Sequence, residues 1–359
     1  MQDSSKDPGV KEDIKAGMAK SYFRMGGLYM SRGDHRYAKE MYEKALEVYQ
    51  ALGMKEEAAE SCQSLGAIYK ALGDLPHAVK MHKKALDMNE SLGRKENTAV
   101  NYGSLGDLYN ALGELKNAEA MYAKSVSLCE ELGHVEDAAA LYASLGRVYM
   151  SLKDYRSAET MYKRALVLDG KLGIKEDIAK DYTSLGDTYS ACRDYNDAED
   201  MYKKAASVYE GLGRLRDTGG IIESMADMYL SHNDLRHGEQ AYNRAIDVYE
   251  GVGLVEGVAR ASLKLGNLYL SREDLKNAEA SYKKSITLNQ KLARKGSMAD
   301  ACFGLGQVYR MRADVKNAGE MYKKAAGLYS MVGDDKKAAS VAPLIEGLKN
   351  LKKKTPSAR

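Results

Sequence analysis

Residues 102–125 read YGSLGDLYNALGELKNAEAMYAKS, and residues 142–165 read YASLGRVYMSLKDYRSAETMYKRA. The two stretches align without a gap at a spacing of 40 residues, and the same alignment extends in both directions. One column runs Tyr29, Tyr69, Tyr109, Tyr149, Tyr189, Tyr229, Tyr269, Tyr309. Three residues earlier stand Gly26, Gly66, Gly106, Gly146, Gly186, Ala226, Gly266 and Gly306, each preceded by Leu or Met. A second half-unit carries Ala38, Ala78, Ala118, Ala158, Ala198, Gly238, Ala278 and Ala318. Four residues after each comes Tyr42, His82, Tyr122, Tyr162, Tyr202, Tyr242, Tyr282 or Tyr322. A period of 20–50 residues marks a repeat architecture.

Steps of four and three within each half-unit are helical spacing, so every unit reads as two helices. The small columns suit places where two helix backbones cross closely. Asp34, Asp74, Glu114, Asp154, Asp194, Asp234, Asp274 and Asp314 lie between the halves. An acidic residue there can cap the second helix and complement its dipole. The column Gly53, Gly93, Gly133, Gly173, Gly213, Gly253, Ala293, Gly333 closes that helix, where a left-handed residue is expected. Asn97, Asp137, Asp177, Asp217 and Ser297 are candidate N-caps of the following units, and Pro76 suits a first turn. Repeat 6 departs from the pattern at Gly219, Gly220, Ala226 and Gly238. Its glycines mark either a softer joint at residues 213–222 or a site of close approach.

With a Leu-Gly-x-x-Tyr helix followed by an Ala-x-x-x-aromatic helix, the chain resembles the tetratricopeptide repeat (TPR) family over residues 15 to 335. Its 40-residue period is similar to that of Pins/LGN-type adaptors and, more loosely, kinesin light chains. The family's Trp column is here Tyr22, Cys62, Tyr102, Tyr142, Tyr182, Ile222, Ser262, Cys302, and its closing Pro is replaced by the Gly53-type column. The resemblance implies an all-α, right-handed α-solenoid of eight helix hairpins, one continuous array rather than separate domains. The expected layout is a flexible N-terminal segment over 1–13, eight repeats over 14–335, a capping helix over 336–352 and a basic tail over 353–359. Ala338, Val341, Leu344, Ile345, Leu348 and Leu351 supply the apolar face of the cap.

Composition narrows the function. Against 54 Lys and Arg stand 51 Asp and Glu, a net charge of +3, which argues against a bulk polyanion binder. Lysine doublets such as Lys163-Arg164, Lys203-Lys204 and Lys283-Lys284 sit four residues after Glu159, Glu199 and Glu279, the favourable order for intrahelical ion pairs. Nucleic acid is therefore not the expected ligand. Residues 1–11 have no apolar stretch and no run of 18 apolar residues occurs, so neither a signal peptide nor membrane insertion is expected. A cytoplasmic location follows as the expectation. No P-loop, G-x-G-x-x-G, H-E-x-x-H or C-x-x-C pattern is present, and the four cysteines make no disulfide framework. Nearly every Ser and Asp belongs to a repeat column, where a repeated residue does a repeated structural job. No enzymatic activity, catalytic residue, cofactor or metal is expected.

A protein or peptide partner is the expected ligand. In TPR arrays the first helices line a concave groove, an orientation implied by the resemblance. The position after the small Gly runs Gly27, Ala67, Asp107, Arg147, Asp187, Asp227, Asn267, Gln307. In Pins/LGN-type repeats it is often Asn and holds a ligand's backbone. Asp187, Glu223 and Asp227 form a candidate acidic zone, beside a candidate apolar patch of Leu230, Leu263, Leu270 and Phe303. The expected function is a non-catalytic scaffold or adaptor binding an extended or helical segment in this groove. The alternatives are a self-associating structural scaffold and a nucleic-acid-binding solenoid.

Overall fold

A computed structural model describes the backbone of residues 8–354 and the side chains of residues 11–348. Seventeen α-helices make up the described residues, and they gather into two compact units, Met1–Ile174 and Lys175–Arg359. The first unit holds α1 (Pro8–Ser31), α2 (His35–Ala51), α3 (Lys55–Ala71), α4 (Leu75–Ser91), α5 (Lys95–Ala111), α6 (Leu115–Leu132), α7 (Val135–Ser151) and α8 (Tyr155–Leu172). The second holds α9 (Lys175–Cys192), α10 (Tyr195–Gly211), α11 (Leu215–Ser231), α12 (Leu235–Gly251), α13 (Val255–Ser271), α14 (Leu275–Lys291), α15 (Lys295–Met311), α16 (Val315–Met331) and α17 (Asp335–Lys354). Each unit is an α-solenoid: odd and even helices pair into hairpins, and each hairpin's second helix packs on the next first helix. The last helix, α17, covers α16 through Val341 and Leu348. Residues 8–13, expected to be flexible, belong to α1; residues 1–7 and 355–359 of the proposed terminal segments lie outside the described residues.

The core is a row of tyrosines laid over glycines. A Cβ added at Gly106 would stand 2.6 Å from the Tyr122 ring, and at Gly146 2.6 Å from Tyr162. At Gly66 it would stand 2.5 Å from the His82 ring. The small column is thus set by an aromatic ring of the same hairpin, not by a crossing of two backbones as the spacing suggested. Tyr242, Tyr282 and Tyr322 are among the largest fully buried side chains of the second unit. Cys62 and Cys302 are buried in the packing column that they share, and burial pushes the Cys62 thiol up to about 11.

Helix ends follow the sequence with two differences. Asp74, Asp154, Asp234, Asp274 and Asp314 accept the backbone N–H three residues on, but Asp34, Glu114 and Asp194 make no such bond. The longer Glu114 side chain reaches the Asn117 amide instead, at 2.7 Å. First helices also begin earlier than Asn97, Asp137, Asp177, Asp217 and Ser297, which stand within their first turns rather than at the N-caps. Carboxylates there still complement the helix dipole. The closing column is left-handed throughout, including Ala293 at φ 54°. Pro76 occupies the first turn of α4.

Repeat 6 contains no break, for α11 is continuous. Its unusual Gly219 is a site of close approach: a Cβ there would overlap the Tyr249 ring. Gly257 on α13 meets the other side of that ring, 2.6 Å from a would-be Cβ. The two glycines let Tyr249 of α12 pass between α11 and α13.

Candidate functional site

The residues after the small column are first of all partners of the buried tyrosines. The Tyr122 hydroxyl donates to Asp107 at 2.6 Å, Tyr202 to Asp187 at 2.6 Å, and Tyr282 to Asn267 at 2.7 Å; Tyr242 donates to Asp227. Each bond spans fifteen residues within one hairpin. Arg147 instead reaches the Ser144 hydroxyl at 2.9 Å, and the Tyr322 hydroxyl in the hairpin of Gln307 has no hydrogen-bond partner. The sequence marked this column as ligand-facing. It did not show that an acceptor here fixes the tyrosine that fills the core.

The acidic zone of the second unit carries its own cations. Glu223 is 4 % exposed and accepts from Arg260 Nε at 2.9 Å and Nη2 at 2.9 Å. Lys264 Nζ lies 3.1 Å from Glu223 and 2.5 Å from Asp227. The Tyr249 hydroxyl, arriving between the two glycines, donates to Glu223 at 3.1 Å. Burial alone would raise the Glu223 carboxyl; Arg260 and Lys264 outweigh it and hold the group below its ordinary value. Burial, helped by Glu223, pushes the Tyr249 hydroxyl up to about 12. Arg260 and Lys264 follow their partners by 37 residues, one repeat less one helical turn. The same offset joins Lys70 to Asp107 at 3.2 Å and Asp300 to Lys337 at 3.0 Å. That offset was available in the sequence once the repeat was known. Asp187 lies outside this cluster; loss of hydration pushes its carboxyl up, opposed by Tyr202.

The apolar candidates are divided. Leu230 packs within its hairpin, where a Cβ on Gly238 would meet it at 3.0 Å. Leu263 and Leu270 are half-buried on α13, and the Phe303 ring lies 5.8 Å from that of Tyr322. The lysine doublets pair as expected, Lys163 with Glu159 at 2.6 Å and Lys283 with Glu279 at 2.6 Å. Lys283, with Arg312 and Tyr309, holds the Glu279 carboxyl down to about 2.

Sequence reasoning missed a cavity of about 410 Å³ in the first unit. First helices α5 and α7 form its walls and α6 its floor. Ala99, Val100, Gly103 and Leu141 give it an apolar lining, while Glu96, Asp107 and Asp137 bring carboxylates and no Lys or Arg lines it. Gly103 stands in the column that holds Phe23, Glu223, Leu263 and Phe303 elsewhere, and the missing side chain leaves the space open. That lone glycine was the available signal. A cavity of about 690 Å³ in the second unit is lined by Asp187, Arg193, Tyr195, Tyr202 and His232, with His232 stacked on Tyr195 at 4.2 Å. Among the described residues, no three His, Cys, Asp or Glu side chains are placed to hold a metal, and no helix is long and apolar enough to cross a membrane.

Comparison with known proteins agrees with this architecture. Tetratricopeptide repeat profiles match residues 17–91 and 99–132, and the soluble NSF attachment protein profile matches residues 127–297. No curated protein matches the chain in sequence. Among solved structures it is similar to a signal transduction ATPase with numerous domains and a tetratricopeptide repeat sensor from Pyrococcus horikoshii. That match has a TM-score of 0.62 and 17 % identity, and covers 94 % of this chain and 53 % of the other. Aspartyl phosphate phosphatase F from Bacillus subtilis aligns with a TM-score of 0.55 and 12 % identity over 96 % of this chain and 97 % of its own. BtubC from P. vanneervenii aligns with a TM-score of 0.50 and 22 % identity over 55 % and 82 %. At these identities the likeness is one of fold. The repeat columns, the paired helices and the matching profiles together make the chain a tetratricopeptide repeat protein.

Proposed function

We propose that the protein is a non-catalytic interaction scaffold that takes an extended or helical segment of a partner protein along its first helices. The observation that carries this reading is the cavity between α5 and α7. Its walls are apolar at Ala99, Val100 and Leu141, and it is lined by Glu96, Asp107 and Asp137 with no Lys or Arg among the lining residues. It is open because Gly103 lacks a side chain; Glu96 is its least committed acid, since Lys70 lies 3.2 Å from Asp107 and His134 3.7 Å from Asp137. Such a site suits an apolar anchor residue flanked by Lys or Arg. Val100, 61 % exposed, extends the apolar surface at its rim. The paired acids Glu223 and Asp227 contribute less, because a basic ligand would have to displace Arg260 and Lys264. Cys62, Cys129, Cys192 and Cys302 are in no disulfide, which suits a reducing compartment such as the cytoplasm.

The test is a selection of displayed peptides on the wild-type protein, followed by titration against Gly103→Ala and Gly103→Leu. A Leu side chain fills the cavity, whereas an Ala Cβ meets its nearest neighbours at ordinary contact distance, 3.4 and 3.5 Å. Peptides with an apolar residue beside Lys or Arg should bind wild type and Gly103→Ala alike and lose at least about tenfold, roughly 1.4 kcal/mol, on Gly103→Leu. Equal binding to all three would remove the cavity from the reading.

A further inference from the structure

Helix α1 leaves open the face that later first helices bury. Ile14, Met18, Met25 and Leu28 are 57, 50, 41 and 59 % exposed. One repeat on, the positions of Met18, Met25 and Leu28 are held by Ala58, Leu65 and Ile68, which are 1, 1 and 0 % exposed. Leu105, Leu108, Leu265 and Leu268 are buried likewise. What covers this face inside the first unit is visible: Leu65 and Ile68 share one cluster with Tyr42, Ala45 and Leu46 of the preceding hairpin. On α1 no described residue plays that part. The open stripe therefore continues the array's own stacking interface and is built for a repeat helix.

The order of its residues selects which helix. Ile14, Met18, Ser21, Met25 and Leu28 are spaced four, three, four and three residues apart, the seam of a two-helix packing. Read from either end the stripe is aliphatic, Met, Ser, Met, aliphatic. Turned about a two-fold axis at Ser21, it presents Ile14 to Leu28, Met18 to Met25 and Ser21 to itself. Gly17, with no atom within 4 Å of a would-be Cβ, leaves room for close approach beside that axis. We propose that two copies of this chain associate through antiparallel contact of their α1 faces. A two-fold contact is closed, with one patch on each subunit, so assembly stops at the dimer. This goes beyond the scaffold reading and leaves the first-helix cavity free.

Sedimentation velocity across a concentration series tests it, with wild type beside a Met18→Glu, Leu28→Glu double variant. Both substituted positions face solvent, and matching circular dichroism would show that the variant folds. Wild type should pass from one to two copies with rising concentration, and the double variant should remain single. In a Cys192→Ser background a Ser21→Cys variant should oxidise to a covalent dimer and an Ile14→Cys variant should not, since the antiparallel two-fold brings Ser21, but not Ile14, against its own copy, whereas a parallel contact would cross-link both. A wild type that stays single to several hundred micromolar overturns the proposal, as does a dimer that survives the double variant. Growth into open chains without the Ser21→Cys cross-link would mean head-to-tail stacking and would also overturn it.

Discussion

Arg260 grips Glu223 with two guanidinium nitrogens across the seam between α13 and α11, and the Tyr249 hydroxyl completes the cluster at 3.1 Å from each. Removing Arg260 leaves the buried Glu223 to Lys264 and the Tyr249 hydroxyl, and removing Glu223 leaves Arg260 to that hydroxyl and to water, so the loss falls short of the usual 3–5 kcal/mol. Glu223→Ala and Arg260→Ala should each destabilise the α11–α13 seam by about 2 kcal/mol. The double variant should lose at least about 1 kcal/mol less than the sum. Hydrogen exchange in α11 and α13 would read this locally; additive losses would show that the two residues act separately.

Two glycines three residues apart on α5 should respond in opposite directions. Gly106→Ala drives a methyl group to 2.6 Å from the Tyr122 ring, an overpacking that costs about 1–3 kcal/mol. Gly103→Ala meets only ordinary contacts and removes backbone freedom from the unfolded chain, a gain of about 0.5–1 kcal/mol. Urea midpoints for the two variants would separate them, and a shared sign would contradict the ring-over-glycine packing.

Ala293 carries a positive φ of 54° where the other closing positions of this column are glycines. A left-handed alanine costs roughly 1 kcal/mol. Ala293→Gly should therefore stabilise the second unit by up to about that amount, less what the freer unfolded chain of glycine takes back. A lower melting temperature for the variant would contradict this account of the turn.

His82 supplies a pH dependence. Burial holds its ring below its ordinary value, with the Asn101 side chain and Asp107 opposing and Lys70 adding to the effect. Below about pH 6.5 the unfolded chain takes up a proton that the folded one refuses, so stability falls as pH drops through that window. Melting of the first unit should come at a lower temperature at pH 5.5 than at pH 7.5. His82→Tyr, which restores the residue usual in this column, should remove that part of the difference. An unchanged pH profile would place its origin elsewhere.

Helix pairing, core columns and left-handed helix ends were legible in the sequence because each recurs at a fixed spacing. The first-helix starts were less legible: Asn97, Asp137, Asp177, Asp217 and Ser297 look like caps, yet a carboxylate or amide is equally at home in a first turn. The site was legible only in outline. Asp107, Asp187, Asp227 and Asn267 were recognised as one column, but their bonds to tyrosines fifteen residues on depend on how a hairpin closes. Glu223 looked like an open acid because its cations Arg260 and Lys264 lie 37 and 41 residues away, offsets that have meaning only after hairpins are stacked. The cavity at Gly103 was hidden for the opposite reason, since it is made by a side chain that is not there.

The 37-residue ladder also bears on how such a chain can change length. Excising residues 188–227 would set Asp187 in the slot of Asp227, opposite the same Lys264, and the rung would re-form with a different carboxylate. Thr183 would then fall where Glu223 had been, and Arg260 would face a hydroxyl. Unequal recombination in steps of 40 is thus forgiving at a rung made from one surface pair, but the seam under Tyr249 is spliced to its neighbours and cannot be copied or lost without a mismatch. In a lineage of such genes, repeats would be expected to multiply and vanish on either side of it.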